Sequence, residues 1–488
     1  AEEIVDKIKK LGADDFEKIE IAGPGFINFT FKDSYFYKAV NEMIERGSLK
    51  LDDKRGRGKK VLIEFVSANP TGPLHFGHGR GAALGDAIAK LLKRAGYEVE
   101  KEFYINDAGR QVELLGESIY AAYQRLRNRE FPFPEDGYKG EYIKDAAEEL
   151  MREKGEEFIG IPFSECKEFF IDWSCSKMLD LIKNDLELFG VSFDKWKSER
   201  ELFSSGRVDE VIEELKEKGY TFEKDGALWF RSTSFGDEKD RVLIKSDGTY
   251  TYFSSDIAYH KEKMERAYDL LINIWGADHH GYIPRIRAAI SALGYDDKIL
   301  KILLVQMVNL LKHGKPMQMS KREGSFITLR EVIDEVGADT AKFIFLTRRP
   351  DSHLDFDLDV AKEQSSENPV FYVQYAYARI RSVIAKAGSF DPKEADLKLL
   401  KLPEELRILK KICIFPIIFD GAVVSLEPHR ITYYLQQLAG EFHSYYNSYR
   451  IISDDRALTL SRLAFIVAIQ FAIKEGLEIL GVNLPERM

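Results

Sequence analysis

The sequence predicts a parallel α/β domain, preceded by a small α+β piece and followed by an all-helical domain. Through the middle of the chain, short apolar runs alternate with helical patterns, and polar residues cluster where several runs end. Beyond Pro350 such runs stop and long stretches with helical spacing take over. We therefore place an N-terminal piece at 1–50, a central domain at 51–355 and a helical domain at 356–488.

Composition limits the classes of protein that this chain can represent. Its 488 residues are 44% hydrophobic and 31% charged, as in globular proteins, and the length predicts two or three domains. The formal charge of −10 means that a nucleic-acid partner must be met by local basic patches. Three widely spaced cysteines suit neither a disulfide framework nor a zinc site. Without a bilayer-length apolar run or a signal pattern, we predict a cytoplasmic chain without a membrane partner.

The elements follow from local patterns, taken in chain order. A hairpin around Gly23-Pro24-Gly25 and a helix at 35–46 form the N-terminal piece. The central domain contains predicted strands at 61–66, 97–104, 220–231, 242–253, 270–275 and 303–310, with a helical insertion at about 113–203. The final domain contains predicted helices at 370–388, 403–418, 428–450 and 455–481.

The chain is organised around its first central strand and the helix predicted from Arg80 to Ala95. His75 and His78 lie between the two, where a helix N-terminus offers N–H groups and a positive dipole end that suit phosphate. Gly77 has no Cβ and lets a flat ring approach the backbone. The alternative is a capped turn with two surface histidines.

One rival reading concerns metal chemistry. Asp278-His279-His280 could ligate a metal ion, as in a metal-dependent phosphoesterase. Such a site needs more histidines and carboxylates at strand ends than this sequence places there, so we predict no metal held by the protein alone.

Two short motifs carry a family resemblance. His75-Phe-Gly-His78 and Met319-Ser-Lys321 resemble the two ATP motifs of class I aminoacyl-tRNA synthetases. Longer stretches over essentially the whole chain look like arginyl-tRNA synthetases: residues 64–73, 106–111, 246–252, 255–260, 275–280, 372–379 and 485–488. An inactive RNA-binding paralogue is the other reading, and the intact Glu64, Asp256 and Lys321 speak against it.

The resemblance implies a Rossmann-like catalytic domain, a helical anticodon-binding domain and the latter part of a tRNA-contacting N-terminal domain. It implies a monomer that consumes arginine and ATP with Mg²⁺ and charges the tRNA specific for arginine. Bound tRNA is expected to be required for arginine activation.

It also implies roles for individual residues. Glu64 and Asn69 would hold the α-amino group of arginine, while Tyr252 and Asp256 would hold its guanidinium, which must be paired when buried. The spacing of four puts the last two on one helical face; the alternative for Asp256 is a helix N-cap.

ATP is assigned to two groups of residues. His75 and His78 would contact the phosphates beside Gly77, and Lys321 the leaving pyrophosphate, flanked by Met319 and Ser320. Gly276, Asp278 and His280 would form the adenosine pocket. Gln318 and Arg322 depart from the family pattern, and Lys315 or Arg322 could restore the missing charge.

Aromatic stripes on two of the predicted final helices suggest an RNA surface. Tyr375 and Arg379 share one helical stripe and Tyr446 lies on another, and such side chains can stack splayed bases. We predict that these three contact tRNA; helix–helix packing with a polar edge is the alternative.

Overall fold

The computed structural model describes residues 1–12, 14–317 and 327–485, and the chain divides into two compact units. One unit combines Ala1–Asp52 with Glu363–Met488, and the other is Asp53–Lys362. The strands of the described residues are β1 (Phe16–Ala22), β2 (Phe26–Phe31), β3 (Lys60–Glu64), β4 (Glu98–Ile105), β5 (Lys195–Ser198), β6 (Thr221–Lys224), β7 (Ala227–Phe230), β8 (Arg241–Ile244), β9 (Leu270–Gly276), β10 (Leu300–Val305), β11 (Val308–Lys312), β12 (Lys315–Pro316) and β13 (Leu354–Asp357).

Helices make up most of the remaining regular structure, apart from short 3₁₀ turns. They are α1 (Glu2–Lys10), α2 (Asp33–Arg46), α3 (Phe76–Arg94), α4 (Arg110–Arg125), α5 (Glu141–Lys154), α6 (Phe163–Leu188), α7 (Glu199–Ser204), α8 (Arg207–Glu217), α9 (Tyr252–Glu265), α10 (Ile283–Leu293), α11 (Leu329–Val336), α12 (Ala338–Phe345), α13 (Leu358–Lys362), α14 (Pro369–Ala387), α15 (Pro403–Ser425), α16 (His429–Ser448) and α17 (Arg456–Leu480).

A five-stranded parallel sheet, in the order β10-β9-β3-β4-β5, forms the centre of the larger unit. The predicted strands β3, β4 and β9 are confirmed. The predicted helical insertion is wrong in its last part, because β5 lies there and forms the sheet edge. This strand is only four residues long and contains two lysines, so its pattern is polar. Trp196 stacks on Phe103 of β4 at 4.5 Å between ring centroids, and this contact holds the short strand in place.

Two smaller sheets replace strands that the sequence assigned to the parallel sheet. Strands β6, β7 and β8 form an antiparallel sheet, in which the segment predicted as one strand is a hairpin. Asp225 and Gly226 turn it with φ of 53° and 74°, the left-handed values that a tight hairpin requires. The third sheet has the order β12-β11-β13. Because β13 follows Pro350, the prediction that strands stop there is wrong.

The smaller unit follows the sequence prediction closely. Hairpin β1–β2 and helix α2 are confirmed, as are the four long helices α14 to α17. Pro403 is the first residue of α15, a position at which the missing N–H has no cost. Helix α2 packs on α15, and the Tyr37 hydroxyl donates to the Leu400 carbonyl at 2.7 Å. In the described part of the chain, no helix is both long and apolar enough to cross a membrane.

Candidate active site

The candidate site begins at the carboxyl edge of the parallel sheet. Glu64 ends β3, Ile105 ends β4 and Gly276 ends β9, and parallel pairing brings these ends to one edge. Ligands of open parallel sheets bind at this edge. The structure therefore brings together the strand-end clusters that the sequence singled out.

The two histidines lie at the start of α3, which begins at Phe76, four residues before the predicted start. His75 is the N-cap, and its backbone N–H donates to Nδ1 of His78 at 3.2 Å. The rings stack with centroids 3.6 Å apart. Since Nδ1 of His78 accepts a hydrogen bond, we assign the proton of its neutral ring to Nε2. That N–H is then a donor suited to a phosphate oxygen at the helix N-terminus.

The His75 ring leaves no room for a side chain at Gly77. A Cβ at this position would lie 2.9 Å from the His75 ring, so a side chain would displace it. The histidine turn is also held by backbone pairing with a distant segment. The Phe76 N–H donates to the Ile327 carbonyl at 2.9 Å, and the Leu329 N–H donates to the Leu74 carbonyl at 2.8 Å. We call this pairing of 74–76 with 327–329 the backbone clasp.

The predicted late motif precedes that clasp along the chain. Gln318, Met319, Ser320, Lys321 and Arg322 lie outside the described residues. Lys315 is exposed in the two-residue strand β12.

Glu64 is followed by a strained turn. Val66 and Ser67 have φ of 67° and 42°, left-handed values that are unusual for a β-branched residue in particular. The turn aims the Ser67 hydroxyl at Glu64 Oε1, 2.9 Å away, and the same oxygen of Ser67 accepts the Tyr104 N–H at 3.2 Å. Glu64 is 5% exposed and its Oε2 contacts the ammonium of Lys263. The sequence did not indicate Ser67 or Lys263.

Asn69, which was predicted to bind the α-amino group of arginine together with Glu64, lies on the loop beyond this turn. The Asn69 side-chain amide donates to Oε1 of Gln111, at the start of α4. This contact joins two of the motifs on which the family resemblance rests.

Asp256 lies in the second turn of α9. The N-cap of that helix is Thr251, so the alternative of Asp256 as an N-cap is wrong. The Tyr282 hydroxyl donates to Asp256 Oδ2. Burial raises the pKa of Asp256 to about 6, with Glu64 adding to the rise and Tyr282 opposing it. Tyr252, one turn earlier, is 60% exposed.

Glu199 is a site residue that sequence reasoning missed. It follows β5, is 2% exposed, and its Oε1 accepts the Ser255 hydroxyl at 2.7 Å. Its Oε2 is buried and makes no hydrogen bond within the described residues. Asp107 accepts the Ser198 hydroxyl and the Arg200 N–H at 2.6 and 2.9 Å, which fixes the chain on both sides of Glu199. Burial raises the pKa of Glu199 to about 7, and Asp256 and Asp107 raise it further.

Glu64, Glu199 and Asp256 form what we call the acidic cluster. All three contribute, after burial itself, to a pKa of the Tyr104 hydroxyl well above its usual value. With Lys263 as the cation at Glu64, the cluster has a net charge of −2 when all three carboxylates are ionised. Such a cluster suits a ligand that brings two cationic groups, and an uncharged ligand would leave its charges unbalanced.

The predicted adenosine residues lie just beyond β9. Gly276 is its last residue, and Asp278 and His280 are exposed in the 3₁₀ turn that follows. Within the described ranges there is no group of three or more histidine, cysteine or acidic side chains arranged to hold a metal ion.

The raised pKa of Glu199 predicts a measurable effect on stability. A carboxyl whose folded pKa exceeds its unfolded value of 4.5 loses stability as pH rises from 4.5 through 7, by up to about 3 kcal/mol. Glu199→Gln is therefore expected to raise the melting temperature of the arginine-free protein at pH 8, with little change at pH 5. Glu201→Gln, an exposed position on the same helix, is the control. An equal shift at both pH values would contradict the prediction.

The three residues predicted to contact tRNA come together in the smaller unit. The Arg379 guanidinium lies between two rings, 4.4 Å from the centroid of Tyr375 and 4.6 Å from that of Tyr446. It also donates to the Tyr375 hydroxyl at 2.5 Å. His443 stacks against Tyr375 with ring centroids 5.6 Å apart, and its Nε2 donates to the Tyr372 carbonyl oxygen at 3.0 Å. We call the group of Tyr375, Arg379 and Tyr446 the stacked triad.

Comparison with known families defines the class of protein. The family model described as the catalytic domain of class I tRNA synthetases (R) matches residues 39–356, and the DALR anticodon-binding domain matches 373–488. The arginyl-tRNA synthetase N-terminal domain matches 1–31. The parallel sheet with two histidines at its carboxyl edge is thus the catalytic domain of a class I aminoacyl-tRNA synthetase.

Whole-chain relatives define the family. The arginine–tRNA ligase of Citrifermentans bemidjiense is 50% identical over 486 residues, which cover 98% of this chain and 88% of that one. The arginine–tRNA ligase of Geobacillus thermodenitrificans is 47% identical, covering 96% and 86%. The Thermus thermophilus arginyl-tRNA synthetase structure shares the fold, with a TM-score of 0.78 and 22% identity over 100% of this chain and 93% of that one. The chain belongs to the arginine–tRNA ligase family.

Proposed function

We propose that this arginine–tRNA ligase carries out its reaction at the carboxyl edge of the central sheet, with the acidic cluster binding arginine. The enzyme activates arginine with ATP and transfers it to tRNA. The observation that carries the site assignment is the acidic cluster at the sheet edge that also carries the histidine turn: three carboxylates with Lys263 as the cation at Glu64, which have a net charge of −2 when all are ionised. Arginine brings a guanidinium and an α-ammonium, and these two cationic groups balance that charge.

Each end of arginine is assigned a partner. Glu64 and Asn69 bind the α-ammonium, and Asp256 binds the guanidinium with Tyr252. Glu199 is added to the guanidinium side because its buried Oε2 lacks a hydrogen bond in the described structure, which a guanidinium N–H would provide. Burial, and after it repulsion by neighbouring carboxylates, raises the pKa of both Asp256 and Glu199, and ion pairing with the guanidinium would offset both effects.

In the first reaction step, an oxygen of the arginine carboxylate attacks the α-phosphorus of ATP. The new oxygen–phosphorus bond forms while the bond to the pyrophosphate oxygen breaks, which yields arginyl-adenylate and pyrophosphate. Negative charge grows on the phosphate oxygens, and preorganised donors stabilise it. His75 and His78 are assigned to these oxygens, and Lys321 to the leaving pyrophosphate.

Gly276, Asp278 and His280 are assigned to the adenosine, with Gly77, Met319 and Ser320 beside the phosphates. Magnesium would arrive with the ATP phosphates as part of the substrate, since it is commonly held by phosphates and only one or two carboxylates. In the second step, the hydroxyl of the terminal tRNA ribose attacks the adenylate carbonyl and AMP leaves.

Arginine-dependent exchange of pyrophosphate into ATP tests this assignment. We expect exchange with arginine when tRNA is present, and none with citrulline, which has the shape of arginine but no guanidinium charge. Exchange with lysine in place of arginine tests whether a positive charge without the guanidinium shape is sufficient for activation. Comparable exchange with citrulline would contradict the role of the acidic cluster.

The stacked triad is assigned to the tRNA. Arg379 held between two rings presents a flat, preorganised surface on which a base can stack. We expect Arg379→Ala to weaken tRNA binding by about 5- to 30-fold, the loss of about 1–2 kcal/mol of stacking. Direct binding of tRNA measures the effect. Arg381→Ala removes the same charge from the same helix, and an equal loss there would contradict a stacking role.

We also propose that the enzyme is a cytoplasmic monomer. Cys166, Cys175 and Cys413 are free thiols, which fits a reducing compartment. Sedimentation velocity and cell fractionation test the two statements.

A further inference from the structure

The face of α9 that packs on the central sheet is unusually polar. The side chain of Lys263 has no exposed surface, contacts Glu64 Oε2 and donates to Asn273 Oδ1 at 3.0 Å. Its ammonium also lies 4.1 Å from the centroid of the Tyr259 ring. Because the desolvation of an ammonium is costly, a buried lysine persists only where its partners are well placed.

The polar contacts continue from Lys263 to the other end of the acidic cluster. Asn273 donates from its amide to Nε2 of His260 at 2.9 Å, and His260 Nδ1 lies 2.8 Å from the Asp256 carbonyl oxygen. A carbonyl only accepts, so the proton of His260 is on Nδ1. Burial lowers the pKa of His260 to about 3, with Lys263 adding to the effect, so the ring is neutral and Nε2 accepts.

These contacts form one continuous chain of hydrogen bonds. It runs from Glu64 through Lys263, Asn273 and His260 to the backbone of Asp256, and we call it the buried polar path. It links the Glu64 carboxylate to the main chain of Asp256, so it joins the two residues that are assigned to opposite ends of arginine. It lies in the protein interior and includes no residue assigned to ATP or tRNA.

We propose that Lys263 is a positioning residue for arginine recognition, which aims the Glu64 carboxylate at the α-ammonium of the substrate. This rests on the assignment of Glu64 under the proposed function. A carboxylate offers about four acceptor positions. Ser67 and Lys263 occupy one on each oxygen and fix the plane of the group. The remaining positions are left for the ligand, and the path through Asn273 and His260 joins Lys263 to the backbone of Asp256.

A purely structural role would have a different consequence. If Lys263 only neutralised a buried charge for folding, its loss would weaken the binding of every ligand at the site alike. If it aims Glu64, its loss affects only ligands that carry an α-amino group. Arginine and 5-guanidinopentanoate, which is arginine without that group, separate the two cases.

The experiment measures the binding of both ligands to the tRNA-bound enzyme. We expect the wild type to bind arginine at least about tenfold more tightly than 5-guanidinopentanoate, as a charge-assisted hydrogen bond requires. Lys263→Met should lose about tenfold for arginine and stay within about twofold for 5-guanidinopentanoate. Lys261→Met is the matched control, since Lys261 is also buried on α9 but pairs with Glu210 and Glu214.

Every other outcome overturns the proposal. Equal losses for the two ligands would make Lys263 structural, and no loss would remove its role. A wild type that does not distinguish the ligands would overturn the assignment of Glu64 itself, so a failure of the proposed function is recognised separately. If Lys263→Met does not fold, Lys263→Leu, which also removes the donor, provides the same comparison.

Discussion

Replacing Asp256 by asparagine is expected to lower kcat/KM for arginine by about a thousandfold, because truncating one partner of a buried charge pair costs about 2–5 kcal/mol. The KM for ATP should stay within about twofold, since uniform binding of the other substrate is unaffected. Asparagine retains the shape of the side chain and can still accept the Tyr282 hydroxyl. The change therefore isolates the charge. Aminoacylation of tRNA at varied arginine concentrations measures the effect.

The pH profile provides a second readout of the same residue. With pKa values of about 6 for Asp256 and about 7 for Glu199, the carboxylates protonate as pH falls from 8 to 5, and kcat/KM for arginine should fall with them. In Asp256→Asn, the decline of kcat/KM should keep only the step near pH 7 that belongs to Glu199. Asp209→Asn is the control, because Asp209 also accepts a tyrosine hydroxyl, that of Tyr250. A wild-type profile that is flat from pH 8 to 5 would rule out this role of the cluster.

Replacing His78 by glutamine is expected to lower the rate of adenylate formation by about 10²- to 10³-fold, the loss of one preorganised donor to a developing charge. Glutamine at the third helical position can reach back to the N-cap N–H, so the start of α3 should persist. The melting temperature should therefore change little while the exchange rate falls. Pyrophosphate exchange at saturating arginine and ATP measures the chemistry.

An exposed histidine supplies the control for this substitution. His313 lies on the turn between β11 and β12 with 80% of its side chain exposed, and His313→Gln should leave the exchange rate unchanged. If His78→Gln retains full exchange at saturating substrates, His78 does not stabilise the transition state. If its melting temperature falls sharply instead, the capping contact with His75 is its main contribution.

The sequence predicted the elements whose patterns are long or strongly apolar. Helices α14 to α17 repeat their spacing over many turns, and β3, β4 and β9 are buried runs, so their interior faces are visible in the residue types. His75 and His78 were singled out because their motif coincides with a helix start, and Asp256 was singled out through the family resemblance. The sequence placed the start of α3 too late, because glycines dominate its first turn.

The sequence could not predict features that depend on contacts between distant segments. Strand β5 is short and polar, so its place at the sheet edge is decided by packing on β4. Glu199 directly follows that strand, and its burial could not be predicted because it depends on the same packing of β5 on β4. Lys263 looks like an ordinary surface charge on a helix, and only the position of α9 against the sheet makes its ammonium a partner of Glu64. The β6-β7-β8 sheet and the mixed β12-β11-β13 sheet likewise depend on pairings that local periodicity does not specify.

The backbone clasp has a consequence for the order in which the enzyme becomes competent during synthesis. The ribosome delivers the histidine turn early, yet the partner of Phe76 is the carbonyl of Ile327. A nascent chain that ends before Ile327 lacks this acceptor, and one that ends before Leu329 lacks the donor to Leu74, however well its earlier segments have folded. Because the pairing uses only backbone atoms, only proline, which has no backbone N–H, would remove a donor directly. The histidine turn thus gains these two hydrogen bonds only in chains whose catalytic domain is nearly complete.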